Sequence, residues 1–139
     1  MKFKIEMKSW DDPDAWRKGN SGIYLLIFPN GMKYIGKSKC IPLRIDQHLN
    51  DFRYRKADWH AAALKTFLLT EKKGKLTWKE VFYSFLREVK VYVQTCEEGL
   101  ETAYEKQALR EIDKNGFREQ YYNTQYPKPI KEVDFTGLI

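Results

Sequence analysis

The sequence is short of several things, and each shortage excludes a class of protein. Only two cysteines occur, Cys40 and Cys96, far apart in the chain. They cannot make a disulfide framework or a zinc site, which needs clustered Cys and His ligands. Prolines and glycines are few, 5 and 8 in 139 residues, and no segment is repetitive or compositionally biased. That leaves no place for a fibrous or low-complexity region. No apolar run approaches the ~20 residues that span a bilayer. The opening "MKFKIEMKSW" is broken by charge, unlike the apolar stretch of a secretion signal. A soluble, intracellular, cytoplasmic protein with reduced thiols and no membrane contact is the expectation.

What remains is one domain's worth of chain, 139 residues of which 42% are hydrophobic. Lys and Arg exceed Asp and Glu by 25 to 19, a formal charge of +6. A polyanion such as nucleic acid is therefore the first partner to consider, although a modest positive charge also serves solubility alone.

Periodicity outlines the elements. Phe3, Ile5 and Met7 alternate with charged residues as in a half-buried N-terminal strand, and "DDPDAWRKGNS" reads as a connector. "GIYLLIF" and "KYIG" flank "PNG", a hairpin signal because Asn and Gly tolerate positive φ. Pro42 suits the first turn of a helix from about Ile41 to Arg53, with Leu43, Ile45 and Leu49 turned partly inward. Asp58 caps a helix from Trp59 to Thr70. Thr77 and Glu80 form a capping box for a helix over 77–89, whose Phe and Val content also suits a strand. "KVYVQT" alternates as a strand. "EEGLETAYEKQALREIDKNG" reads as a long helix closed by Asn115 and Gly116. The order gives an α+β sandwich, a small antiparallel sheet with helices packed on it. Residues 1–20 form an N-terminal strand and connector, and residues 125–139, with Pro127 and Pro129, an irregular tail.

Phosphodiester hydrolysis needs a group to activate water, groups to neutralise phosphate, and usually a divalent cation. Candidates for each are present. Tyr24 and Tyr34 sit on the two arms of the hairpin, where a matched register puts both phenols on one face. Gly22 and Gly36 leave space for a ligand or another backbone. Strand tyrosines are more commonly packing residues, so the pair alone proves nothing. Lys37 and Lys39 follow the hairpin. Arg44 and His48, four apart, share one helix face, where a permanently charged planar donor and a proton carrier could act together. A solvated basic face would look the same. His60 opens the next helix. Glu98, Glu101 and Glu105 form an acidic stripe at helical spacing, and one carboxylate is enough for Mg²⁺, which keeps its waters. Asn123 could donate to phosphate or cap a turn.

Taken in order, "GIY", nine residues, "YIGKS", Arg44 eight positions after Gly36, a later helical Glu and a downstream Asn resemble the GIY-YIG nuclease family. The resemblance covers residues 21–124 and implies a small α/β sandwich around a central three-stranded antiparallel sheet flanked by helices. It implies that Tyr24 activates the attacking water, that Tyr34 completes the site, and that Arg44 contacts the scissile phosphate. Lys37 follows the second triplet as in excision-repair members. His48 matches a histidine of the homing and restriction branches that can assist the tyrosine, and His60 aligns with a further histidine of the homing branch. Glu105 matches the metal-binding glutamate, with Glu101 the substitute if the register shifts, and Asn123 matches the asparagine.

The implied activity is a Mg²⁺-dependent DNA endonuclease, with Mn²⁺ substituting; the alternative is a nucleic-acid-binding module that keeps the scaffold without cutting. One site cuts one strand at a time, so a homodimer or two encounters would be needed to break a duplex. The sequence departs from the family in the added segment at 77–89.

Overall fold

The computed structural model describes residues 4–54 and 85–123, with side chains for 4–48 and 85–123. Four strands, β1 (Lys8–Ser9), β2 (Gly22–Ile27), β3 (Lys33–Ser38) and β4 (Lys90–Thr95), form one antiparallel sheet in the order β1-β4-β2-β3. Helix α1 (Ile41–Tyr54) and helix α2 (Glu101–Lys114) cover its two faces, and short 3₁₀ turns lie at Pro13–Trp16 and Arg118–Gln120. The α+β sandwich is as expected. Its three long strands are the expected central sheet, and β1 adds a two-residue fourth strand at one edge.

That fourth strand starts later than the Phe3–Met7 alternation suggests. Residues 4 to 6 are held by a side chain instead of a ladder: Gln94 Nε2 donates to Lys4 O at 2.8 Å, and Glu6 N donates to Gln94 Oε1 at 2.6 Å. The alternation still reports burial correctly, because Ile5 and Met7 pack against the α2 side of the sheet.

The hairpin between β2 and β3 closes through Gly31 N to Phe28 O (2.8 Å) and Phe28 N to Met32 O (2.9 Å). Gly31 has φ +84°, so the turn needs the glycine of "PNG". Asn30 caps the tip by accepting from Met32 N at 2.9 Å.

Each face of the sheet has its own core. On the α1 side, Tyr24, Leu26, Val91 and Val93 pack with Phe28, Ile41, Ile45 and Phe85. On the α2 side, Ile23 and Ile35 pack with Ala108, Leu109 and Ile112. Helix α1 buries Ile41, Ile45 and His48, one stripe at spacings of four and three, so Leu43 falls outside it at 59% exposed. This corrects the expectation that Leu43 turns inward. Helix α2 ends as read, with Asn115 at the cap and Gly116 at φ +77°. It begins at Glu101, after a turn in which Gly99 has φ +101°, so Glu98 lies off the helix.

Of the helix expected over 77–89, residues 85–88 are described and are helical; Phe85 stacks on Phe28 with centroids 6.3 Å apart. The expected helix from Trp59 to Thr70, Leu49's side chain and the tail at 125–139 lie outside the described residues. Among the described residues no helix is long and apolar enough to cross a membrane.

Candidate active site

The hairpin register decides where the two triplets meet. Tyr24 pairs with Gly36 and Leu26 with Tyr34, which places both tyrosines on the α1 face. The phenol of Tyr24 lies over Gly36, and a Cβ at that position would overlap Tyr24 Cζ and Oη. Gly22 has φ +153°, and a Cβ there would run into the backbone of Gln94 and Thr95. Gly22 therefore clears space for another backbone, one of the two uses expected of it, and Gly36 clears space for the Tyr24 phenol.

Helix α1 brings His48 onto the same face. Its Nε2 is 2.6 Å from Tyr24 Oη, and both residues are 1% exposed. Tyr34 completes the cluster, with its ring 5.3 Å from that of His48 and 6.5 Å from that of Tyr24, centroid to centroid. Arg44 sits one turn before His48, donates to Gln47 Oε1 at 3.1 Å, and acts on both phenols.

Tyr24 and Tyr34 are both raised above the ordinary phenol range, and burial is the main cause. Tyr34 and Glu105 push Tyr24 further up, while the charge and hydrogen bond of Arg44 pull it down without offsetting the rest. Lys37 acts on Glu105.

Helix α2 contributes its acid around the edge of β3. Glu105, in the second turn, is half-buried, and its charge reaches both Tyr24 and Tyr34. Burial raises its pKa and the Lys37 ammonium partly lowers it. Lys37 is held alongside by donating to Thr102 Oγ1 at 2.8 Å. The acidic stripe does not act as a unit. Glu101 turns back to accept from Gly99 N at 2.7 Å and Ser21 Oγ at 3.1 Å, and its pKa is lowered chiefly by backbone hydrogen bonding.

Asn123 reaches the same strand from the opposite end. Its Oδ1 accepts from Ile35 N at 2.9 Å and its Nδ2 donates to Ile35 O at 2.8 Å, between the Tyr and Gly of the second triplet. Next to it, Tyr122 N donates to Lys33 O at 2.8 Å, and Asn30 Nδ2 donates to Tyr122 Oη at 2.8 Å. Of the residues singled out from sequence, Tyr24, Tyr34, Lys37, Arg44, His48 and Glu105 gather around the β3 edge. Asn123 engages the backbone of that edge, and His60 lies outside the described residues.

The family model of the GIY-YIG catalytic domain matches residues 20–115. The chain belongs to the GIY-YIG family, a family of nucleases. No curated protein and no solved structure matches it.

The resemblance to the family implies a divalent cation, and the donor set limits which kind these residues could hold. Among the described residues no three His, Cys, Asp or Glu side chains cluster. Glu105 fits a hard cation: it is a single half-buried carboxylate with no hydrogen bond or ion pair among the described residues. Mg²⁺ takes one or two carboxylates and fills its remaining positions with water and substrate oxygens. Sequence reasoning missed Thr102 and the Ser21–Glu101 contact. A Thr and a Glu in the first turn of a helix were the available signal, since such residues satisfy orphan backbone or neighbouring groups.

Proposed function

We propose that the chain is a Mg²⁺-dependent DNA endonuclease that hydrolyses phosphodiester bonds. The observation that carries this reading is the 2.6 Å contact between Tyr24 Oη and His48 Nε2, made where Arg44 and Glu105 also act on Tyr24. A phenol with a raised pKa holds its proton and is a poor resting base. It works as a relay. With Nε2 as acceptor, Tyr24 passes its own proton to His48 as it takes one from the attacking water.

The hydroxide so formed attacks phosphorus, the P–O bond to the leaving oxygen breaks, and that oxygen takes its proton from solvent. Arg44 and Lys37 neutralise the non-bridging oxygens, and Tyr34 orients them. Glu105 would hold the cation, whose charge stabilises the leaving oxygen when bound. Asn123 fixes the strand that carries Tyr34 and Gly36. The net charge of +6 suits a DNA partner. A break in both strands takes a homodimer or two encounters.

A supercoiled plasmid incubated with the purified chain and Mg²⁺ or Mn²⁺ tests the reading. Nicking is expected, and Glu105→Ala should lower it at least ~1000-fold while a gel shift with DNA persists. Binding without nicking by the unaltered chain would identify a non-cutting DNA-binding module instead.

A further inference from the structure

An edge strand offers a row of outward N–H and C=O groups that a protein must cover, charge or use. In an antiparallel ladder, successive residues turn these groups alternately toward the neighbouring strand and away from it. Three contacts fix the phase for β3. Phe28 N bonds Met32 O in the register that pairs Tyr24 with Gly36, so even-numbered positions of β3 bond inward to β2. Lys33 O is taken from outside by Tyr122, and both backbone groups of Ile35 by Asn123, so odd-numbered positions face outward. Lys37 is the next odd position. Its N–H and C=O face outward, and among the described residues neither meets a partner.

Among the described residues, coverage of the edge thus stops where the site begins. Lys37 follows the glycine beneath the Tyr24 phenol, is exposed, and lies beside Thr102 and Glu105. We infer that the main-chain N–H of Lys37 is a phosphate donor, hydrogen-bonding a non-bridging oxygen of the DNA strand held at this site. The inference rests on the endonuclease reading above. A β-strand from another protein is the wrong occupant, because one open position makes no ladder and an edge lysine opposes strand addition. A phosphate suits it. Backbone amides are common phosphate donors, and this one is fixed by the sheet, so it needs no reorganisation as charge develops. The ammonium of the same residue attracts the anion, and substitutions that keep the main-chain N–H would report on that side chain alone.

The full chain labelled with ¹⁵N, mixed with a short duplex in the presence of chelator so that nothing is cut, gives the direct reading. The Lys37 amide proton is expected to move downfield and to exchange with solvent about tenfold more slowly. Lys37→Pro then removes the N–H at an outward edge position, where proline is accepted, while Lys37→Gln removes only the charge. The proline variant is expected to have kcat ~100-fold below the glutamine variant at similar KM. The amide measurement needs no variant and decides alone if the proline variant unfolds. An amide indifferent to DNA, or equal kcat in two folded variants, overturns the inference and leaves the endonuclease reading standing. A chain that neither binds nor cuts duplex overturns both.

Discussion

The two faces of the sheet bury different chemistry. Under α2 the packed cluster is Ile23, Ile35, Ala108, Leu109 and Ile112, and the polar side chains that α2 buries, Glu101 and Gln107, lie outside it. Under α1, the Tyr24 phenol packs with Leu26, Ile41, Ile45 and Val93 and meets the His48 imidazole, and both residues are 1% exposed. Burying polar groups costs free energy even when they bond each other, and on the α1 face that cost falls within the packed cluster itself, at Tyr24. The difference separates what holds the sheet together from what the sheet is holding.

Substitutions at neighbouring positions should break the two faces independently. On the β-sheet itself Gly36→Ala carries the largest expected effect: its Cβ would displace the Tyr24 phenol, and nicking should fall at least ~100-fold, as for loss of a well-placed catalytic group. Tyr24→Phe should cost nicking ~100-fold or more while circular dichroism stays unchanged, because only the proton relay is removed. Ile23, one residue earlier, faces α2. Ile23→Val should lower stability by about 1 kcal/mol in urea denaturation and leave nicking per folded molecule intact. If Ile23→Val impaired cleavage as much as Tyr24→Phe, the separation of the faces would be wrong.

Much of this arrangement was legible in the sequence because it is local or periodic. Alternation located β4 at Lys90–Thr95, and Asn115-Gly116 marked the end of α2. The triplets and their spacing placed Tyr24, Tyr34, Arg44 and Glu105 on the list of candidates. What escaped depends on tertiary placement. The phase of α1, which exposes Leu43 and buries His48, follows from which stripe meets the sheet. The need for Gly36 follows from strand register, which sets Tyr24 above it. No local pattern tells that Asn123 grips a strand 88 positions away. The upward shift of the tyrosines comes from burial, which outweighs the Arg44 guanidinium that the sequence does show.

The smallest expected effect is also the sharpest comparison, because it sets two glutamates of one helix against each other. Glu101 is stabilised as the carboxylate by hydrogen bonds, so its folded pKa is lowered; its contribution is present above the unfolded value and is lost as pH falls through the folded one. Glu105 is raised by burial, so its ionised form opposes folding, and lowering the pH through its folded pKa relieves that opposition. Glu101→Gln should therefore lower Tm at neutral pH, by an amount equivalent to about 1 kcal/mol for weakened hydrogen bonds to Gly99 N and Ser21 Oγ. Glu105→Gln should raise Tm by less than about 1 kcal/mol equivalent, since solvent screens a half-exposed carboxylate. Both differences from the unaltered chain should shrink as the pH is lowered through the carboxylate range in thermal melts without divalent cation. Opposite signs at neutral pH, with nicking lost only in Glu105→Gln, would tie Glu101 to the fold and Glu105 to the cation; equal signs would return the two acids to a common role.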